Sequence, residues 1–313
     1  FAAGVNAGNS IASGGNYNVV IGDEAGTALT TGDANTAIGF EALTTEDANT
    51  GNTAIGYRAL KTLNAGADAL NVAIGYEAGT GLTTGVQNVI IGGNAGDALT
   101  DADFNVAIGL GALTTDTKGN KSVAIGDGTL ATQNFTSSTD TFNTAVGFEA
   151  GQAVTTGKNN TLIGSLAGDA LDVGNTNVAV GKDALTTDTK GDRAVAIGNL
   201  ALGSQNFTSS TDNYNVGVGY NAGSAITTGT LNTLIGGLAG DALTDADHNV
   251  ALGYAALTVD TQGSKSTAIG RAALGSQNFT SATDSHNTAV GYQTGLSVTT
   301  GVQNTLTGSL AGV

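Results

Sequence analysis

The chain has no cysteine, proline, methionine or tryptophan, and aromatic residues make up only 5% of its 313 positions. Without cysteine there is neither a disulfide scaffold nor a thiolate metal site. Without proline every residue keeps a backbone N–H to donate, as a continuous ladder of strands requires. The 49 glycines and the scarcity of large side chains exclude a thick aromatic core. Collagen is excluded as well, because glycine does not recur at every third residue. Only 10 Lys and Arg face 26 Asp and Glu, and the resulting charge of −16 argues against nucleic acid and anionic membrane as partners. No apolar run approaches the ~20 residues of a membrane-spanning helix. The sequence starts at Phe1 inside a partial repeat and stops inside another, so we expect a fragment of a longer fibre, in which targeting signals cannot be read.

What is present is repetition. A pentad Asn-(Thr/Val)-Ala-Ile-Gly returns seventeen times, its glycines running from Gly22, Gly39 and Gly56 to Gly291 and Gly308. Most gaps are 17 residues; one is 19 and three are 21, and each 21 follows three 17s. A second period of 72 residues results, seen from Gly75 to Gly147, Gly219 and Gly291. A fixed period of this size marks stacked units that bury their apolar faces on their neighbours. The expected fold is therefore all-β: a parallel β-solenoid, or β-roll, with 17-residue rungs and a 72-residue super-repeat of four rungs. Its parts are a partial rung at 1–17, an irregular first group at 18–70, super-repeats at 71–142, 143–214 and 215–286, and a truncated one at 287–313. At ~4.8 Å per strand, seventeen rungs make a rod about 80 Å long.

Numbering each rung from its Asn, position 4 is nearly always Ile, Val or Leu, and we expect Ile38, Ile55, Ile74, Ile108, Ile125, Ile163 and Ile197 in one inward column. Position 3 points the other way and is never charged, so Ala73, Ile90, Leu162 and Leu234 are expected against a partner chain. Leu82, Leu99, Val154, Ile226, Leu243 and Val298 are expected to point inward from a second strand. Gly at position 5 marks a corner needing positive φ or close backbone approach. The Asn at position 1 has two readings, an amide ladder along the axis or a turn residue that tolerates left-handed backbone.

The candidates for chemistry are few. Asp97, Asp101 and Asp103, echoed by Asp241, Asp245 and Asp247, cluster in turns that could hold calcium, although no EF-hand or nonapeptide motif surrounds them. His248 fills the slot of Phe104 and Thr176, and His286 that of Phe142 and Tyr214, which indicates a structural role for both. No other cofactor is implied. The 21-residue rung carries its extra residues in Gln133–Asp140 and the copies at 205–212 and 277–284, expected to bulge every fourth rung. Phe135, Phe207 and Phe279 there are either contact anchors or rings folded back on their own rung. Asn134, Asn206 and Asn278 open Asn-Phe-Thr acceptor patterns for glycosylation. The Thr pairs, such as Thr83-Thr84, do not form a continuous rank of the ice-binding kind.

The pentads, Ser122-Val123-Ala124-Ile125-Gly126 closest, resemble the head repeats of trimeric autotransporter adhesins. The fuller phrase Asn-Thr-Ala-Ile-Gly-Tyr-x-Ala…Leu-Thr-Thr-Gly is similar to repeat regions of phage tail-fibre-like and bacterial surface proteins. The resemblance implies a left-handed parallel β-roll with three chains side by side, working in surface attachment. The expected function is a non-catalytic extracellular fibre or adhesin shaft, at a cell surface or on a virion, self-associating as a homotrimer or filament. The alternative is a solenoid that binds glycan or ice along one repetitive face. An enzyme is not expected, because no carboxylate or basic cluster breaks the repeat, and neither is membrane insertion.

Overall fold

The computed structural model describes residues 1–66 and 68–313, and the chain divides into two compact units, Phe1–Thr156 and Gly157–Val313. The fold is the expected one, an all-β parallel β-solenoid of about 18 turns spaced by about 17 residues. There is no helix among the described residues. Each pentad contributes a three-residue strand from positions 2 to 4, in parallel register with the next. In the first unit Val72, Ala73 and Ile74 lie beside Val89, Ile90 and Ile91. In the second, Thr161, Leu162 and Ile163 lie beside Val178, Ala179 and Val180. Strands this short have no independent stability; stacking supplies it.

The facing of the strand corrects the sequence expectation. Position 3 is the inward one: Ala73, Ile90, Leu162 and Leu234 are fully buried within their own chain, so they cannot be a seam with a partner. Ile38, Ile55, Ile74, Ile108, Ile125, Ile163 and Ile197 at position 4 are half-buried or exposed and face outward, as position 2 does. Leu82, Leu99, Val154, Ile226 and Leu243 do point inward, but from tight turns rather than a second strand, and Val298 is half-buried.

The reason is the room inside a turn. Each turn supplies a core aliphatic at position 9 or position 12. With few exceptions, turns with Gly at position 9 carry Leu, Ile or Val at position 12, and turns with Leu at position 9 carry Asp, Glu or Gln at position 12. The two sites share one space, since a Cβ on Gly96 would stand 2.8 Å from the Cδ1 of Leu99. The larger position-3 residues Ile90, Leu162 and Leu234 also lie against glycines at position 9, including Gly79, Gly168 and Gly240. Volume is conserved turn by turn, which close packing demands.

Most turns are closed by a buried Asn at position 1. Asn71 Nδ2 donates across the turn to the Gly85 carbonyl at 2.9 Å, and its Oδ1 accepts the backbone N–H of Asn88 at 2.9 Å. Asn160 and Asn177 repeat the pattern in the second unit. The ladder is therefore chiefly side chain to backbone, joined in places by the expected amide-to-amide bonds along the axis, as from Asn88 Nδ2 to Asn71 Oδ1 at 3.2 Å and from Asn304 Nδ2 to Asn287 Oδ1 at 3.1 Å. The corner after the strand is Gly because a Cβ on Gly219 would meet the Gly236 carbonyl oxygen at 2.6 Å, with φ at +138°. Further corners are left-handed without glycine. Phe104, Phe142 and Tyr214, which precede position 1, have φ of 60°, 51° and 51°, and Glu77 and Leu113 lie in the same region at 53° and 54°.

In the 21-residue turns Ser122, Ala194 and Ser266 replace the position-1 Asn, and closure passes to a buried Asp–Gln pair in the position-12 column. Asp116 accepts the N–H groups of Gly119 at 3.0 Å and Phe135 at 3.1 Å and the Gln133 amide at 2.5 Å. Gln133 Oε1 in turn accepts from Asn143 at 2.9 Å. Asp188–Gln205 and Asp260–Gln277 repeat the arrangement. The partners vary together: Ser122 with Thr141, Ser266 with Ser285, but Ala194 with Asn213, whose amide donates to the Asp192 carbonyl at 2.7 Å.

Candidate functional site

The four added residues do not form a free bulge. The loop returns to pair Thr139–Asp140 in parallel with Gly119–Asn120, and Thr211–Asp212 and Thr283–Asp284 do the same with Gly191–Asp192 and Gly263–Ser264. Phe135, Phe207 and Phe279 are folded back and buried, at 7%, 5% and 7% exposure, so they are core rings and not contact anchors. Their N–H groups are the ones held by Asp116, Asp188 and Asp260. Asn134 and Asn206 are exposed and Asn278 is half-buried, and their side-chain oxygens accept from Thr117, Thr189 and Thr261 one turn earlier.

The acidic turns do not converge on a cation. Asp97 accepts from Thr114 at 2.7 Å and from Asn94, Asp101 from Thr100 at 3.1 Å, and Asp103 from the Val86 N–H at 2.8 Å. Asp241, Asp245 and Asp247 accept from Thr258, Thr244 and Thr230 in the same way. Among the described residues no group of three acids or histidines could hold a metal ion. These carboxylates are hydrogen-bond acceptors, four of them reaching to a neighbouring turn.

Two buried acids carry a perturbed charge. Desolvation raises the carboxyl of Asp188 above the usual range, against the opposing bonds from Gln205, Phe207 and Gly191. The same cause raises Glu46, which stands at position 12 of its turn and accepts two bonds from Asn49. Both are buried against their hydrogen-bond partners, which reach Glu46 from within its own turn and Asp188 largely from the next one.

The surface feature that stands out is the outward sheet face. In each unit, positions 2 and 4 form two parallel ranks of Val or Thr and, save for Thr307 in the last turn, of Ile, Val or Leu, with no charge in either rank. None of them is buried, and Ile163 and Leu252 are 39% and 43% exposed. The residue before position 1 borders this face on one side, with Leu70, Phe104, Phe142, Tyr214 and Leu231 exposed. Position 6 borders it on the other, with Phe40, Tyr76, Phe148, Tyr220, Tyr254 and Tyr292 exposed. Apart from Phe1, Val5, Val302, Leu310 and Val313 in the first and last segments, and Val259, every exposed large apolar side chain lies in these four ranks. Scattered apolar residues are normal on a protein surface; a one-sided concentration marks a contact face.

The borders are ordered along the stack. Phe40, Tyr57 and Tyr76 stack at 5.4 and 5.1 Å between ring centres. Arg271 lies 5.9 Å from the Tyr254 ring and 5.6 Å from Tyr292. On the opposite border Lys121 bridges Asp140 at 2.6 Å and lies 5.3 Å over Phe142, and Arg193 pairs with Asp212 and lies 5.5 Å over Tyr214.

The sequence expectation missed this face, although one signal could have located it. Lys121, Arg193 and Lys265 before position 1, and Asp127, Lys182 and Arg271 at position 6, share the even parity of positions 2 and 4. Charged residues at the ends of an alternating segment tell which parity meets water. No protein-family model, curated protein or solved structure matches the chain.

Proposed function

We propose that this chain is a non-catalytic structural segment of an extracellular fibre or adhesin shaft, at a cell surface or on a virion, whose outward sheet face packs against copies of itself. The observation that carries this reading is the gathering of exposed apolar side chains onto that one face in each unit. A flat, uncharged array repeated turn by turn is matched best by a partner with the same repeat. The net charge of −16 does not oppose such contact, because positions 2 and 4 carry no charge.

Orientation follows from the borders. The border before position 1 carries Lys121, Arg193 and Lys265 and no acid, whereas positions 6 and 7 are acidic on balance, with Asp23, Glu24, Glu41, Glu77, Asp127, Glu149 and Asp183 against Arg58, Lys182 and Arg271. Copies running in the same direction around a shared axis bring unlike borders together, and antiparallel copies bring like borders together. Charge complementarity selects the parallel arrangement, and closed rings about such an axis, the expected trimer among them, cover the face of every chain. A second reading, a monomeric solenoid that meets a glycan, is favoured by the Phe40–Tyr57–Tyr76 stack, whose outer rings Phe40 and Tyr76 are exposed.

Neighbouring residues of one strand separate fold from assembly. Ile163→Asp combined with Ile197→Asp should leave the circular dichroism of the chain intact and weaken association at least about tenfold, because each places an unpaired charge in a dry seam. Leu162→Asp should instead destabilise the fold by several kcal/mol, roughly 3–5 by analogy with uncompensated buried charges. Light scattering and urea unfolding distinguish the two. Association unchanged by the double substitution would remove the outward face as the seam.

A further inference from the structure

The chain's only two histidines, His248 and His286, both precede position 1, two turns apart, with Lys265 between them in the same border. The equivalent trios are Phe104–Lys121–Phe142 and Thr176–Arg193–Tyr214. In those two super-repeats the cation pairs with an Asp and lies over the ring that follows it. In the third, Lys265 pairs with Asp284 at 2.5 Å, and the ring that follows is an imidazole. We propose that this column is an acid-sensitive lock on the association of copies through the outward face, so that assembly holds near neutral pH and loosens as the pH falls towards 5.5. The inference rests on the self-association proposed above.

Imidazole is the side chain whose charge ordinarily changes between pH 5 and 8. A neutral ring can lie beside a cation, as Phe142 does beside the Lys121 ammonium and Tyr214 beside the Arg193 guanidinium; an imidazolium repels it. Acid therefore turns His248–Lys265–His286 into three adjacent cations on the border of an apolar face. The groups facing this column are Asp284, whose carboxyl Lys265 holds below the usual range with smaller help from His286 and His248, and Asp247 beside His248. Asp284 is already bound to Lys265, and Asp247 accepts from the Thr230 N–H and hydroxyl, so they do not neutralise both imidazolium groups. From the flanking turns come Leu231 on one side and Gln303 on the other, both uncharged. The sign is fixed by desolvation: covering the border disfavours the charged rings, so association and protonation oppose each other.

The test compares the chain with a His248→Phe/His286→Phe variant, which installs the rings found at Phe104 and Phe142 and so respects the fold. Association is measured by analytical ultracentrifugation at pH 7.5 and 5.5, with circular dichroism as a control on folding. The expected result is about a tenfold or greater fall in the association constant of the natural chain at pH 5.5, the effect of placing repelling charge in the covered border. The variant should change much less. Equal loosening of both proteins, or none in the natural chain while it still assembles, would overturn the lock and leave the seam standing. A chain that is monomeric at both pH values would overturn the seam, and the lock with it.

Discussion

Turns of the Leu82 and Leu99 kind and turns of the Asp116 and Gln133 kind occupy the same column of the stack and solve its filling in opposite ways. In the first kind Gly79 or Gly96 makes room at position 9, and the aliphatic at position 12 fills it. In the second, Leu113 or Leu130 fills from position 9, and position 12 is left to a buried Asp or Gln. The apolar pair needs no partner of fixed geometry. The polar pair does, and it is satisfied by Gly119, Phe135, Ser122 and Asn143 at once. The four residues added in each 21-residue turn therefore come with a complete hydrogen-bond set, since a partly satisfied network is worse than none. The 19-residue turn at 52–70 is longer by two residues and keeps an apolar filling, with Leu60 and Leu63 at positions 9 and 12.

The hardest way to break the comparison is to put the polar solution where its partners are missing. Leu99→Asp places a carboxylate under Gly96 and directly beside Asp116 in the column. Two adjacent buried carboxylates without a Gln between them should cost about 4 kcal/mol or more, read as a lower urea midpoint or as loss of soluble protein. A cost below about 1 kcal/mol would mean that position 12 is not a core column.

A milder test exchanges the two ways of filling. Gly96→Leu alone should overpack against Leu99 and cost roughly 1–3 kcal/mol. Combined with Leu99→Ala it should recover a large part of that loss, because Leu43 and Leu113 already occupy the same left-handed position in turns whose position 12 carries no aliphatic. Additive losses in the double variant would show that the two sites do not share a space.

The smallest effect expected is a pH dependence. Burial raises the carboxyls of Asp188 and Glu46. A group whose folded value is raised contributes stability that is complete below its unfolded value and is lost as the pH climbs through the folded one. Melting temperature should therefore rise slightly on going from pH 7 into the carboxylate range, measured on the His248→Phe/His286→Phe variant so that assembly does not enter. The exposed pairs work the other way: Lys61 and Arg58 lower Glu41, and Lys265 lowers Asp284, so their part disappears only in stronger acid. Such surface pairs are worth little. A melting temperature that falls over the same range would reverse the assignment.

How much of this was legible depended on whether a signal repeats along the sequence or across it. The glycine after each strand recurs at a fixed interval because a backbone carbonyl of the next turn leaves no room for a Cβ, and that alone led to the solenoid. The facing of the strand was misread because Ala73 and Ile74 are both apolar, and size suggested that the isoleucine belonged inside. It lies outside because the interior is already filled from positions 9 and 12. Gln133 was read as part of a bulging loop and Asp116 was not singled out, since a polar side chain looks solvated until its partners in the neighbouring turns are known. Asp97 and its relatives were weighed as calcium ligands for the same reason, and are instead acceptors for nearby hydroxyl and N–H groups.

The left-handed corners have a consequence for how such a stack comes into being. A residue such as Phe104, Leu113 or Glu77 in that conformation costs about 1–2 kcal/mol relative to its preferred backbone, and most turns contain two or three of them. A lone turn has no neighbour to return that cost through the Asn bonds and the strand ladder, so the first few turns are unfavourable and each later one is a gain. Folding should accordingly begin rarely and then propagate from whatever turn has formed, the finished turn acting as a template for the next. Such a chain tolerates duplication of whole 72-residue blocks, because every new block meets a template of its own kind, while a short excised stretch of two or three turns should remain unfolded.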